Sequence, residues 1–437
     1  MGTMMTFEMN ASLTKKPTSV LRNRNFSLLF SGKIISQLGD QIYAFALSWY
    51  ILDLTKSSLQ MAVFLVVDTL VVAIVSPFGG IVADRLNRKR ILVWMDVIRG
   101  IVVLLAAFLL YSHILQIWMI YVSAIFLGFC GSLFSPAAGA IIPNIVEDNQ
   151  LTQAVSLNNF TGSFCAASGL LVGGMLYKLI GVFAIFVINA LSYFISGVLE
   201  AGVRLPNVAK AVRTGTSSFI PSMKKTVEEL KEGLQYVVKN RLILNLTIFN
   251  AVFNLLVFPV VIVLFPYTFN VILKAEPFQL ALSQSSGWIA ILASNLLAPL
   301  FLKRFKFRTS IFFALLTYSA CSLLMSPALL PQLRPFFSNW TITAWFCAGG
   351  LVLGLAMPFI FIPINVLFQR HTLDQYRGRF WGMQSSLTTA MMPLGYFIAG
   401  FLAQRVAMTV LFAGVAVIMF SVDLWISNVK EVRNLKE

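Results

Sequence analysis

Two carboxyl groups lie inside long apolar stretches of the sequence. Asp40 stands in ISQLGDQIYAFAL and Asp68 in AVFLVVDTLVVAIV. A charge at the centre of a bilayer costs about 2.5–3.5 kcal/mol by insertion scales, so such residues usually face the protein interior and mark an ion or substrate path. An apolar medium favours the neutral form of a carboxyl group, which can release its proton when water enters. We therefore expect Asp40 or Asp68 to carry a proton along such a path or to meet a cationic ligand.

A structural role for either carboxyl group stays open at this point. A protonated Asp40 could bond a neighbour such as Gln37, or it could cap a break in its helix at Gly39. We prefer Asp68 as the proton or ligand site, because Asp40 follows a glycine and can serve the helix instead. Gln37 is also a candidate for contact with a ligand.

Amides in other apolar segments are further candidates for a substrate cavity. Asn250 and Asn254 lie one helical turn apart in IFNAVFNLL, and Gln384 stands in FWGMQSSLTTAMM. Buried amide groups need hydrogen-bond partners. The partner can be a ligand in the cavity or simply a neighbouring helix.

Asp96 and Arg99 are a pair of opposite charges in WMDVIRG. Residues three apart meet on one face of a helix, so this pair can neutralise itself at modest cost inside a membrane. We interpret it as a structural or gate-associated pair rather than a ligand site.

The sequence lacks the motifs of the common catalytic and metal sites. It has no phosphate-binding loop of the Gly-x-x-x-x-Gly-Lys-[Ser/Thr] type, so no ATP-driven pump is encoded. Its two histidines, His113 and His371, are expected in loops, and its four cysteines have no metal-like spacing. We expect no catalytic residue, no metal and no cofactor. A membrane enzyme is the main alternative from another class.

Composition identifies the elements that must position these residues. Of 437 residues, 58% are hydrophobic and 11% are charged, whereas soluble domains carry about 25% charged residues. Apolar runs of spanning length recur along the whole chain, which predicts an all-α membrane protein with twelve transmembrane helices. The predicted spans are 27–52, 59–83, 91–111, 117–141, 153–177, 181–203, 242–268, 281–302, 309–330, 341–367, 380–403 and 408–427.

The loops account for the net charge of +16. Lys and Arg cluster in alternate connecting segments, which is the positive-inside bias of membrane proteins rather than a nucleic-acid-binding surface. This distribution predicts a multi-pass protein of a bacterial cytoplasmic membrane, with both termini in the cytoplasm and no nucleic-acid partner.

The two halves of the chain resemble each other. ASGLLVGGML aligns with PLGYFIAGFL, so that Gly169 matches Gly395 and Gly174 matches Gly400. Gly162 and the glycines of the first copy are expected to let helices approach closely. A repeat of this kind predicts two pseudo-symmetric six-helix bundles around a central path.

The longest gap between spans divides the chain into these bundles. We predict an N-terminal bundle over 1–203 and a C-terminal bundle over 242–437. The segment between them, 204–241, is expected to be a cytoplasmic linker that ends in an amphipathic helix on the membrane surface.

GGIVADRLNRKR follows the second predicted span and resembles the signature loop of the major facilitator superfamily. The matching residues are Gly80, Asp84, Arg85, Arg88, Lys89 and Arg90. Asn87 stands where the family usually has Gly, which is compatible because Asn also accepts a left-handed backbone. The resemblance implies a secondary transporter in which this loop is a conformational latch. The basic residues could also serve only to fix the topology.

A longer resemblance points to one branch of that superfamily. SPAAGAIIPNIVEDNQLTQAVSL and the segment that holds Gln369, Gly378 and Arg379 resemble the bacterial macrolide-efflux and siderophore-exporter branch. The resemblance covers essentially the whole chain and implies proton-driven export, with Arg379 associated with the gate. Two features depart from the drug antiporters: Leu170 stands where they often have Pro, and the fourth predicted span lacks the Arg that many carry.

These features predict a proton antiporter that exports a small amphipathic molecule, such as a macrolide-like drug or a natural product, by alternating access. Its expected partners are the small-molecule substrate, protons and the lipid bilayer, and the chain is expected to be a monomer. The alternative is an exporter or flippase of a siderophore or a lysophospholipid-like lipid. A non-transporting membrane sensor is the remote alternative.

Overall fold

A computed structural model describes residues 19–204, 228, 231–302, 307–372 and 377–429 of the chain. All regular elements in these residues are helices, and no strand occurs among them, which confirms the all-α prediction. The long helices are α1 Arg24–Thr55, α2 Ser58–Arg85, α3 Arg88–Tyr111, α4 Ile117–Ile145, α5 Asp148–Ala201, α6 Arg241–Ile272, α7 Pro277–Leu302, α8 Phe307–Met325, α9 Asn339–His371, α10 Arg377–Ala403 and α11 Met408–Asn428. Short 3-10 turns lie at Val20–Arg22, Ser326–Leu329 and Arg334–Phe336.

Polar caps fix where several of these helices begin. The Asn23 side chain accepts hydrogen bonds from the backbone N–H groups of Asn25 and Phe26 at the start of α1. Caps of the same kind begin α2, α3, α6 and α9 at Ser57, Asn87, Asn240 and Ser338. A cap stabilises a helix by about 1 kcal/mol. Asn87 has a φ of −69° in this role, so the left-handed backbone expected there is wrong.

α5 is long enough to cross a bilayer twice, and it reverses direction at Gly181. This residue has a φ of 76° inside an otherwise helical run, a conformation that glycine adopts readily. Contacts with α1 show the reversal, because residue numbers on α1 rise along the first half of α5 and fall along the second. The contacting pairs are Lys33–Asn158 and Ile42–Gly173 before the break, and Gly39–Ser192 and Gly32–Ser196 after it.

Ten helices of the described residues are long and apolar enough to cross a membrane, and α5 counts among them as one helix. α1 is outside this set, although its 32 residues give it sufficient length. The helical membrane architecture is therefore confirmed. Twelve crossings, with α5 crossing twice, stay a prediction.

Helices α1–α5 pack mainly with one another, and so do α6–α11. We call these the first and second groups. Two helix pairs make the most extensive contacts between the groups, α2 with α10 and α5 with α7, and α6 also contacts α1 and α2. The sequence repeat relates these two pairs, because α5 and α10 carry its matched glycines.

The matched glycines of the repeat make equivalent contacts. Gly174 on α5 packs against Pro277 at the start of α7, and Gly400 on α10 packs against Ser58 at the start of α2. The expected close packing is confirmed for Gly174, whereas Gly162 has no neighbour among the described residues within 4 Å that an added Cβ would meet. Close packing is therefore wrong as the role of Gly162.

The groups meet at one end of the helices, which we call the far face. The terminal face is the opposite end, where α1 begins and α11 ends. At the far face, Ser58 Oγ donates to the Gly400 carbonyl oxygen at 2.8 Å, and Asn270 Nδ2 donates to Asp53 Oδ1 at 2.8 Å. An ion pair, Lys178 with Glu276 at 2.7 Å, also joins the groups there. These contacts close the far face.

Residues 231–239 form a short helix that packs on the second group. Val237 is buried while Leu234 is exposed, and the Tyr236 hydroxyl donates to the His371 carbonyl oxygen at 3.0 Å. His371 is the last residue of α9, so the loop expected there is wrong. Most of the predicted linker, 205–227 and 229–230, lies outside the described residues.

Candidate functional site

Asp40 lies on a helix that continues without a break. α1 is helical from Arg24 to Thr55, so a cap at a helix break beside Gly39 is wrong as an explanation of Asp40. Gly39 serves close packing instead, because a Cβ atom there would lie 2.6 Å from the side-chain oxygen of Asn189. The second half of α5 can therefore approach α1 closely at the level of Asp40.

This close approach brings the Tyr193 side chain of α5 to the Asp40 carboxylate. The Tyr193 hydroxyl donates a hydrogen bond to Asp40 Oδ1, and Tyr193 is itself buried. Gln37, the bonding neighbour considered from the sequence, does not take this place, and its Oε1 has no hydrogen-bond partner among the described residues. Asp40 is thus held by another helix.

Asp68 lies on α2 and shares its electrostatic surroundings with Asp40. The charge of Asp68 acts on Tyr43 of α1 and on Tyr396 of α10. The charge of Asp40 acts in turn on Asp68. Asp68 is partly exposed, and no described side chain hydrogen-bonds to its carboxyl group or pairs with it. The structure therefore places each of the two predicted carboxyl groups in the electrostatic surroundings of the other, with Asp68 near Tyr396 of the second group.

The predicted pair on α3 is present and deeply buried. Arg99 Nη1 lies 3.3 Å from Asp96 Oδ1, and the Asp96 side chain is fully buried. The Arg99 guanidinium also lies 4.5 Å from the centre of the Phe134 ring and 5.4 Å from that of Tyr193. Its charge reaches Asp40, so the pair belongs to the surroundings of the central carboxyl groups. Its association with a gate stays a prediction.

Sequence reasoning missed a second buried carboxyl group, which lies beside this pair. Glu200 is 0% exposed near the end of α5, and the Ser196 hydroxyl lies 3.5 Å from its Oε1. Its charge interacts with Asp96 and Arg99. The available signal was a lone acidic residue in the apolar run LSYFISGVLEA, placed one helical turn after a serine.

The amide candidates are buried in the second group. Asn250, Asn254 and Gln384 are each less than a tenth exposed. Asn254 Nδ2 donates to the Asn250 carbonyl oxygen at 2.8 Å, which is a bond within α6. Asn250 Oδ1 and Gln384 Oε1 have no hydrogen-bond partner among the described residues. The structure does not hydrogen-bond these amides to Asp40 or Asp68, so their contact with a substrate stays a prediction.

The predicted latch lies at the terminal face. Gly80, Asp84 and Arg85 fall in the last turns of α2, and their side chains lie outside the described part of the chain. Arg88 Nη1 donates to the Ala140 carbonyl oxygen of α4 at 2.9 Å. Of the remaining latch residues, Lys89 is half-buried and Arg90 is exposed. The side chain of the gate candidate Arg379 also lies outside the described part of the chain. The latch stays a prediction.

Among the described residues, no group of three or more His, Cys, Asp or Glu side chains could hold a metal ion. The four cysteines are free and lie apart, with Cys130, Cys165 and Cys321 buried.

Comparison with known proteins places this site in context. The family model described as Major Facilitator Superfamily matches residues 29–349. Macrolide efflux protein A of Streptococcus pyogenes is 25% identical over 414 residues, which cover 94% of this chain and 97% of that protein. Multidrug efflux pump Tap of Mycobacterium bovis is 24% identical over 412 residues, which cover 91% of this chain and 92% of that protein.

Solved structures show the same fold at low sequence identity. A bacterial homologue of the iron transporter ferroportin, in an inward-facing state, matches with a TM-score of 0.73 at 16% identity over 94% of this chain and 100% of that chain. The nucleoside transporter NupG matches with a TM-score of 0.72 at 14% identity, with the same coverage.

Proposed function

The chain belongs to the Major Facilitator Superfamily, since the family model matches most of its length, and we propose that it exports a small amphipathic cation by proton antiport. The relatives named as macrolide and multidrug efflux proteins support export as the direction. A macrolide that carries an amino sugar has the size, the apolar body and the positive charge that this proposal requires.

One observation carries the choice of a cationic cargo. Asp68 is partly exposed and unpaired among the described residues, and it lies in the electrostatic surroundings of Asp40 in the first group and of Tyr396 in the second. An ammonium group can pair with a carboxylate there, and tyrosine rings such as those of Tyr43 and Tyr396 favour cations. Protonation of the same carboxyl groups would release the cation, which couples the two species in opposite directions.

Alternating access would use the two groups as rigid bundles, over 1–203 and 242–437. The closed far face supports an inward-facing state in which cargo enters from the terminal face. For the far face to open, Gly174 must separate from α7 and Gly400 must separate from α2. In this scheme Asp84 and its basic neighbours hold the opposite state, with the far face open.

We further propose that the chain is a monomer in a bacterial cytoplasmic membrane, with both termini in the cytoplasm, and that it has no enzymatic activity. The basic terminal-side segments support this orientation. The terminal face is then the cytoplasmic face, and protons reach the far face from outside.

Retention of a macrolide tests the proposed function. Bacteria that express the chain should retain less labelled erythromycin than cells without it, and an uncoupler that collapses the proton gradient should abolish the difference. Equal retention with and without the chain would exclude macrolide export. Reduced retention of a siderophore or a lysophospholipid in the same assay would favour the alternative cargo.

A further inference from the structure

Two carboxyl groups and one guanidinium group are buried inside the first group of helices, near the partly exposed carboxyl group of Asp40. Asp96 and Glu200 are 0% exposed and Arg99 is 5% exposed, and the charge of Asp40 reaches both Asp96 and Arg99. We call these four residues the acidic cluster. Among the described residues of this cluster, Asp40 is the one whose charge acts on Asp68.

Several polar atoms of the acidic cluster have no hydrogen-bond partner in the described part of the chain. They are both carboxyl oxygens of Asp96, Oε2 of Glu200 and Nε of Arg99. Buried polar atoms are nearly always satisfied unless they serve a purpose or bind something. A proton is the smallest ligand that a buried carboxyl oxygen can take.

The balance of charge requires bound protons. Arg99 is always protonated, so full ionisation of Asp40, Asp96 and Glu200 would leave excess negative charge buried away from water. An uncompensated buried charge costs several kcal/mol. The cluster is neutral only when the carboxyl groups other than the partner of Arg99 hold protons.

Side chains of three helices connect the cluster from the terminal face to the membrane centre. Glu200 is one residue from the end of α5 at the terminal face. The Ser196 hydroxyl lies 3.5 Å from Glu200 Oε1, and Ser196 is also a neighbour of Asp96. Arg99 pairs with Asp96. The next carboxyl group towards the membrane centre is Asp40, which lies about 24 Å from the start of α1 at a rise of 1.5 Å per residue.

We propose that Glu200 and Asp96 form a proton store that exchanges protons between Asp40 and the terminal face, by a route inside α1, α3 and α5 that is separate from the cargo cavity. This inference rests on the proton antiport proposed above. The O–H bond of Asp40 breaks as one forms at the Asp96 carboxylate, and Arg99 turns from Asp96 to the Asp40 carboxylate. Glu200 then gives its proton to water at the terminal face and takes the proton from Asp96.

The neighbours of the cluster do not supply another base. α4 contributes the Cys130 thiol, and α5 contributes the Tyr193 hydroxyl, which bonds Asp40. Among the described residues, no Lys or His side chain is an electrostatic neighbour of Asp96 or Glu200. The pH dependence of the store therefore depends on its own carboxyl groups.

Glu200→Gln tests the store, because glutamine imitates the protonated carboxyl group and cannot release a proton. We would reconstitute the full chain in liposomes and measure two processes with labelled erythromycin. Exchange of labelled for unlabelled drug without a pH gradient needs no net proton movement and should survive. Accumulation driven by a pH gradient should fall by about tenfold or more, as expected when a proton-transfer group is lost.

Asp423→Asn is the matched control. Asp423 is 0% exposed in α11, far from the cluster in sequence, and the Ser427 hydroxyl lies 3.4 Å from its Oδ1. This variant removes a buried carboxyl group of the same kind, and its gradient-driven accumulation should equal that of the parent protein. An equal loss in both variants would overturn the proton store, because it would show a general effect of buried carboxyl groups.

Two further results separate the store from the proposed function. If the parent protein does not accumulate erythromycin on a pH gradient, the proposed antiport fails. If the parent accumulates it and Glu200→Gln does so equally with the same pH profile, only the store is wrong.

Should Glu200→Gln not insert, Ser196→Ala keeps all charges and removes the bridging hydroxyl, and unchanged gradient-driven accumulation in that variant would also overturn the store. Infrared absorption of protonated carboxyl groups gives a readout without cargo, because Glu200→Gln should remove one band.

Discussion

Removing Arg99 should destabilise the protein strongly. Arg99→Met keeps the length and much of the apolar stem of the side chain, but it leaves the Asp96 carboxylate, 3.3 Å from the guanidinium, without its counter-charge. Breaking a buried ion pair from one side costs about 3–5 kcal/mol. The guanidinium also lies over Phe134, and a desolvated contact of this kind contributes about 2 kcal/mol. We expect a loss of at least about 3 kcal/mol in the free energy of unfolding.

The measurement is the unfolding of purified protein in detergent, followed by the fluorescence of its tryptophans in rising denaturant. Arg405→Met is the matched control, because Arg405 is exposed and only covers the Phe401 ring at 3.7 Å. Its loss should cost about 0.5–1 kcal/mol. The double variant Arg99→Met with Asp96→Asn should regain much of the stability, since no buried charge remains unpaired. Equal stability of Arg99→Met and Arg405→Met, or a double variant no better than Arg99→Met, would refute the reasoning.

Three further predictions follow from the geometry. Gly174→Leu and Gly400→Leu should each hold the far face open, because the added side chain meets α7 or α2; cysteine labelling from outside should rise, whereas Gly162→Leu should leave it unchanged. Tyr193→Phe removes the hydrogen bond to the Asp40 carboxylate and should shift the pH profile of transport with little change in cargo affinity; an identical profile would show that this bond has no part in coupling. Asp84→Asn should reduce transport in a protein that is still inserted, and full transport would reduce the loop to a topology signal.

The fold could be predicted from the sequence because each apolar run is long enough to span a bilayer and polar residues mark its ends. The reversal at Gly181 was expected at that position, where the fifth and sixth predicted spans meet. The repeat also predicted which glycines make equivalent contacts, Gly174 and Gly400. Gly162 shows the limit, because a glycine in a span reveals nothing about whether another helix faces it.

The site was predicted only in part. The depth of Asp40 and Asp68 follows from span lengths, so their proximity to the membrane centre could be expected. The partner of Asp40 could not, because Tyr193 is 153 residues away and meets it only through the packing of α5 on α1. Glu200 was missed because a charge near the end of a span is usually taken to reach water, whereas the packing of α1 and α3 buries it.

Gradient-driven transport by Asp40→Asn and Asp68→Asn tests most directly whether the central carboxyl groups couple protons to export. Everted membrane vesicles that contain each variant would be loaded with labelled erythromycin in the presence and absence of a pH gradient, after equal insertion is shown. We predict that the parent protein accumulates the drug only with the gradient and that at least one variant loses this accumulation. If both variants accumulate the drug with unchanged pH dependence, neither carboxyl group couples protons and the proposed mechanism is wrong.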